Sequence, residues 1–65
     1  MSEACASHLR ILAADAVALQ QRLRDALAGL DGLTPGASFR LGEAFASLGS
    51  AARTLEAAAN EATQP

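Results

Sequence analysis

Apolar residues recur along the chain in two runs that follow a heptad repeat. The first run consists of Cys5, Leu9, Leu12, Ala16, Leu19, Leu23, Ala26 and Leu30. The second run consists of Leu41, Phe45, Leu48, Ala52, Leu55, Ala59 and Ala62. Alternating steps of four and three residues place all members of a run on one side of an α-helix. The pattern therefore predicts two helices, each with an apolar seam.

Helix-breaking residues separate the two runs. Glycines and prolines cluster at Gly29, Gly32, Pro35 and Gly36, whereas the flanking segments contain no proline before Pro65. Such a cluster is typical of a short turn between helices. The expected elements are helix one over about residues 3–31, a turn over 32–35 and helix two over about 36–61.

The ends of both helices carry recognisable capping residues. Ser2 is expected to cap helix one, and Gly32 to take the left-handed conformation after it, with Leu33 folding back onto Leu27 or Ala28. Thr34 is expected to be the N-cap of helix two. Pro35 would then occupy the first helical position, where its missing N–H is harmless.

Folding the chain at the turn brings the two seams together in register. Leu23 then faces Phe45, and Ala16 faces Ala52, with the other layers staying level along the pair of helices. The sequence therefore predicts an all-α fold, an antiparallel two-helix coiled-coil hairpin that occupies residues 1–65 as one unit.

The hairpin is expected to need another chain for its stability. It has only 65 residues, of which 51% are hydrophobic, and Cys5 is its single cysteine, so no internal disulfide can form. Below about 70–80 residues, a lone core rarely supplies more than roughly 3–5 kcal/mol. We therefore expect a homodimer or a partner chain to complete the fold.

Several residues are candidates for contact with that chain. The layer of Ala16 and Ala52 is small on both sides, so either the helices approach closely there or a gap remains for a bulky side chain from a partner. Gly42 and Gly49 lie seven residues apart and indicate either close backbone approach or simply a weak second helix. Apolar residues outside the seams complete the set of expected partner-binding residues, which is Ile11, Ala16, Val17, Phe39, Gly42, Gly49 and Ala52.

Composition argues against catalysis, metal binding and nucleic-acid binding. Cys5 and His8 form only half of a zinc site, and no base–nucleophile pair is visible, so we expect no enzyme, no cofactor and no metal. The five arginines are scattered and the net charge is −2, which disfavours nucleic acid. The acidic first residues and the lack of a long apolar run predict a location away from the membrane, in the cytoplasm or after export by a route that needs no cleaved signal.

The stretch from Ala18 to Ala28, ALQQRLRDALA, and the layout of residues 35–55 resemble small type III secretion co-chaperones of the YscE/PscE group. That resemblance implies a helical hairpin that pairs with a larger helical-repeat chaperone to hold the needle subunit. Two other groups share the architecture. Small type VII secretion substrates have a Trp-x-Gly turn that is absent here, and the plasmid copy-number protein Rop dimerises into a four-helix bundle that binds paired RNA loops.

Three functions are compatible with these features. The first is a binding module, an adaptor or co-chaperone that covers an apolar helix of a client. The second is a self-sufficient homodimeric four-helix bundle with a structural or regulatory role. The third is RNA binding in the manner of Rop, which would require Arg10, Arg24 and either Arg53 or Arg40 to gather on one face of a dimer.

Overall fold

The structure, a computed structural model, describes residues 3–63 as two helices that pack against each other along their length. Helix α1 spans Glu3–Ala28 and helix α2 spans Pro35–Ala62. The hairpin measures 51 × 16 × 9 Å, and its radius of gyration is 15.1 Å, against about 11 Å for a compact domain of this length. The all-α hairpin is confirmed, and its shape is that of a rod.

Helix α1 ends three residues before the predicted boundary at residue 31. Its last turn tightens, because the Gly29 N–H donates to the Ala26 carbonyl at 3.1 Å and the Leu30 N–H donates to the Leu27 carbonyl at 3.2 Å. Such short-span bonds are common where a helix ends, and Gly29 is a poor residue for continuing it. Gly32 is left-handed, with φ of 75°, but lies within the turn and not directly after the helix.

Helix α2 begins as the sequence predicts. The Thr34 hydroxyl accepts a hydrogen bond from the Ala37 N–H at 3.1 Å, and Pro35 is the first helical residue. The helix ends at Ala62, where the Thr63 N–H and hydroxyl both donate to the Asn60 carbonyl, at 3.3 and 2.9 Å. The expected Ser2 cap of α1 lies outside the described residues.

The predicted seam of α2 faces α1. All seven of its members are buried or half-buried. Ala52, Ala59 and Ala62 are no more than 5% exposed. The heptad pattern of this helix is thus confirmed.

The predicted seam of α1 is only half right. Leu9, Ala16 and Leu23 are half-buried, whereas Leu12 is 40% exposed and Leu19 is 48% exposed. Ala26 and Leu30, which were expected in the same seam, are exposed as well. The column that α1 turns towards α2 in their place consists of Ala6, Ala13, Gln20 and Leu27.

Side-chain size explains this rotation of α1. Within residues 3–63 the buried hydrophobic side chains are all alanines, namely Ala6, Ala13, Ala52, Ala59 and Ala62. Two helices alone can surround a methyl group, but a leucine between them extends past the edge of the contact into solvent. Facing alanines allow the backbones to approach, so the rotated arrangement gives closer packing than leucine against leucine.

Charged side chains contribute little to the hairpin. The two ion pairs described, Arg24–Asp25 and Arg40–Glu43, both span 3.9 Å between exposed side chains. Exposed pairs of this kind contribute about 0–1 kcal/mol. Neither helix, over the described residues, combines the length and hydropathy needed to cross a membrane.

Candidate protein-binding surface

A polar contact between the helices fixes the middle of the hairpin. The Gln20 side-chain amide donates a hydrogen bond to the backbone carbonyl of Phe45 at 2.9 Å. Gly49 makes room for this amide, because a Cβ at that position would lie 2.6 Å from the Gln20 Nε2 atom. The close approach expected at Gly49 therefore occurs within the hairpin, where the residue is buried.

An open groove with a volume of about 380 Å³ runs beside this contact. Helix α1 contributes Ala13, Ala14 and Val17 to the groove, and α2 contributes Ala52, Arg53, Glu56, Ala57 and Asn60. Ala13 and Ala52 are almost fully buried and form its floor, and Val17 is 40% exposed. The groove therefore has an apolar floor and a partly polar border.

The groove belongs to a longer face of the hairpin, which we call the groove face. Residues seven apart lie on the same side of a helix. Arg10 and Arg24 therefore share the side of Val17 on α1, and Phe39 and Ala46 share the side of Arg53 and Asn60 on α2. Gly42 lies on this face as well, two heptads before Glu56, which lines the groove. The face thus extends from the groove towards the turn.

Four of the expected partner-binding residues lie where another chain can reach them, and three of those share one face. Val17 borders the groove, and Phe39, which is 69% exposed, lies on the groove face nearer the turn. A Cβ at Gly42 would meet no atom within 4 Å, so the backbone there is open. Ile11 is 59% exposed but points away from α2 on the outer side of α1.

The other three expected residues lie between the helices. Ala52 is the part of the small layer that reaches the groove floor, whereas Ala16 is half-buried and does not line the groove. Gly49 is covered by Gln20. The small layer is therefore accessible to a partner through its α2 side.

The groove face carries charges of both signs. Arg53 lines the groove, and Arg10 and Arg24 lie on the side of α1 that carries Val17. Glu56 is the acidic residue in the lining, and Glu3 lies seven residues before Arg10 on the same side of α1. Three of the five arginines thus lie on one face of a chain whose net charge is −2.

Most of the groove lining was missed from the sequence. Ala13 was overlooked because the more hydrophobic neighbour Leu12 fitted the heptad pattern, and Arg53 and Asn60, next to the α2 seam, were not among the expected partner-binding residues. A signal was present in the seven-residue spacing of Ala6, Ala13, Gln20 and Leu27. The polar Gln20 obscured that column.

Within the part of the chain that the structure describes, the fold brings no further metal ligands to the pair of Cys5 and His8. Cys5 is half-buried, and His8 is exposed one turn further on. Across residues 3–63, no three or more histidine, cysteine, aspartate or glutamate side chains are grouped so that they could hold a metal ion.

Comparison with known proteins gives no match to a protein-family model, a curated protein or a solved structure. The resemblance to type III secretion co-chaperones therefore stays a prediction from the residues. Any functional conclusion rests on the surfaces of the hairpin.

Proposed function

We propose that the chain is a small protein-binding module, without catalytic chemistry, whose groove face binds an apolar helix of another protein. The observation that carries this proposal is the open groove of about 380 Å³ between α1 and α2. Packing of a helix into a groove of this kind is a recurrent mode of protein recognition.

The lining of the groove suits a large apolar side chain. Ala13 and Ala52 form a floor of methyl groups, and Val17 adds an exposed apolar wall. Arg53 and Asn60 give polar groups to the border. An apolar centre inside a polar rim is the usual anatomy of a protein–protein contact, in which a few buried anchors supply most of the affinity.

The arginines of the groove face indicate what flanks this anchor. Arg10, Arg24 and Arg53 would lie beside a helix seated along the face, where carboxylates of the partner could pair with them. We therefore expect the bound helix to carry a large apolar residue with aspartate or glutamate on either side.

Gly42 fits the same proposal. A glycine within a helix costs about 0.8–1.0 kcal/mol relative to alanine, and at Gly42 no contact within the hairpin requires it. An open backbone on the groove face would let a partner helix approach closely near the turn.

A client-holding role as an adaptor or co-chaperone is the form of this proposal that the type III resemblance suggests, in the cytoplasm. RNA binding is a second candidate, which the position of Arg10, Arg24 and Arg53 on one groove face supports. A steep loss of affinity with salt, for paired RNA loops and not for peptides, would distinguish it.

The chain contains no tryptophan and no tyrosine, which gives a clean test. Helical peptides with one tryptophan flanked by acidic residues are selected from a display library against the purified chain. Binding is then followed by the emission and anisotropy of the peptide tryptophan. We expect a blue shift as the indole enters the groove, and at least about ten-fold weaker binding to Val17→Asp.

Ala18→Asp is the matched control. It introduces the same charge at the next residue, on the outer side of α1, and lowers helix propensity more than Val17→Asp does. Binding to this variant is expected to stay within about two-fold of the original chain. Equal loss in both variants, or no peptide that binds, would contradict the proposal.

A further inference from the structure

A second apolar surface lies on the other side of the hairpin. Leu19 is two residues after Val17, which corresponds to about 200° around α1, so the leucine points away from the groove face. Ala51 is likewise two residues before Arg53 on α2. We call this surface the leucine face, and it comprises Leu12, Leu19, Ala44, Leu48, Ala51, Leu55 and Ala58.

The fold of one hairpin does not use this face fully. Leu12 and Leu19 are 40% and 48% exposed, and Ala44 and Ala51 are exposed as well. Leu48, Leu55 and Ala58 are half-buried. All seven positions recur at heptad spacing, which is the pattern of a helix that packs against a further helix.

The chain exposes more surface than a compact monomer of its mass, and the excess is about the area that one partner buries in an interface. The chain has an accessible surface of 4660 Å² and a mass of 6.6 kDa. A compact monomer of that mass exposes about 3,900 Å². The difference of roughly 800 Å² equals the share that one partner contributes to a standard protein–protein interface.

The leucine face is complementary to itself. Its α1 side is a ridge made by Leu12 and Leu19, and its α2 side is a flat strip of small residues made by Ala44, Ala51 and Ala58. A two-fold axis along the rod places the α1 ridge of one copy over the α2 strip of the other, and the reverse contact follows by symmetry. The two helices in each such contact run antiparallel.

We propose that two copies of the chain pack leucine face to leucine face into an antiparallel four-helix bundle. Charge selects this face over the other one. None of the seven residues of the leucine face is ionisable, whereas pairing of two groove faces would take the charged groove residues Arg53 and Glu56 out of water, which is costly. The bundle leaves both groove faces on its outside, available for two client helices.

The dimer is independent of the proposed binding function and uses different residues. Its test is the molar mass of the purified chain by light scattering over a concentration series, with detection by refractive index because tryptophan and tyrosine are absent. We expect a dimer for the original chain, and a shift to monomer for Leu19→Glu. The dissociation constant is expected to rise about 100-fold or more, because each substitution occurs twice in the symmetric interface.

Ile11→Glu is the matched control. Ile11 is more exposed than Leu19, at 59% against 48%, but lies on the outer side of α1 away from the leucine face. It therefore removes at least as much exposed apolar surface without touching the interface. A dimer that persists in Ile11→Glu and is lost in Leu19→Glu supports the proposal, and equal loss in both overturns it.

Two further measurements distinguish loss of the dimer from loss of the folded chain. The melting temperature by circular dichroism should rise with protein concentration for the original chain and Ile11→Glu, and stay constant for Leu19→Glu. Ala51→Glu, at an exposed position on α2, should behave like Leu19→Glu. A monomeric original chain, or a dimer that survives Ala51→Glu, overturns the proposal, while peptide binding through Val17 could still hold.

Discussion

The end of the hairpin that carries the chain termini buries its side chains more completely than the end that carries the turn. Near the termini Ala6 and Ala59 are 0% exposed, and Ala62 is 2% exposed. Near the turn the seam residues are larger and only half-buried, and they are Leu23, Leu27, Leu41 and Phe45. Beyond them Leu30 and Phe39 are 51% and 69% exposed.

This difference shows that two helices set an upper limit on the size of side chain that they can enclose. Alanine methyl groups fit between two backbones, so the terminal half is closed without help. Leucine and phenylalanine need atoms on a third side, which only another chain can provide. Among the side chains that lie between the two helices, alanines are thus buried more completely than leucines and phenylalanine.

Enlarging an alanine in the terminal half is expected to have the largest effect. Ala59→Leu forces the two backbones apart, and we expect it to lower the free energy of unfolding by about 2 kcal/mol. Urea unfolding followed by circular dichroism at one protein concentration measures the change. Ala18→Leu, on the outer side of α1, is the control and should change stability by less than about 0.5 kcal/mol. Equal effects of the two would mean that the terminal half is not closely packed.

Truncating a leucine in the turn half is expected to cost less. A fully buried leucine loses about 2–5 kcal/mol on replacement by alanine. Leu23 is only half-buried, so we expect Leu23→Ala to lower stability by about 1 kcal/mol in the same urea assay. A loss near the top of the range for buried leucines would show that another chain covers the turn half in solution.

The two glycines of α2 are expected to give the smallest changes in stability, and they can be compared directly by the same substitution. Gly42 is open, so Gly42→Ala should stabilise the hairpin by about 0.8 kcal/mol. Gly49→Ala gains the same propensity but displaces the Gln20 amide from the Phe45 carbonyl, a bond worth about 1 kcal/mol, so its net effect should be close to zero.

The Gln20→Ala background separates the two contributions at Gly49. With the amide removed, Gly49→Ala should stabilise the chain as much as Gly42→Ala does, when each is measured by thermal unfolding. A coupling energy near zero between positions 20 and 49 would show that the amide does not occupy the space above Gly49.

The sequence was sufficient for the parts of the fold that local chemistry determines. Thr34 and Pro35 mark the start of α2, and a left-handed Gly32 lies in the turn, because caps and turns depend on a few neighbouring residues. The α2 seam followed from heptad spacing, since most of the other heptad columns of α2 that could have formed a seam include charged or polar residues.

The rotation of α1 could not be read from the sequence in the same way. Leu12 and Ala13 compete for the same contact, and hydrophobicity favours leucine whereas close approach to α2 favours alanine. That choice depends on the facing residues, including Ala52 and Gly49, and therefore on tertiary structure. The groove was missed for the same reason, because its two walls come from both helices.

The topology of the hairpin also sets the order in which its contacts can form. Contacts beside the turn close short loops, whereas Ala6 and Ala62 lie at opposite ends of the chain and close the longest one. Loop-closure entropy rises with the number of residues enclosed, so contact between the terminal alanines is entropically the most costly to initiate. The best-packed end of the rod is therefore expected to form its contacts last during folding.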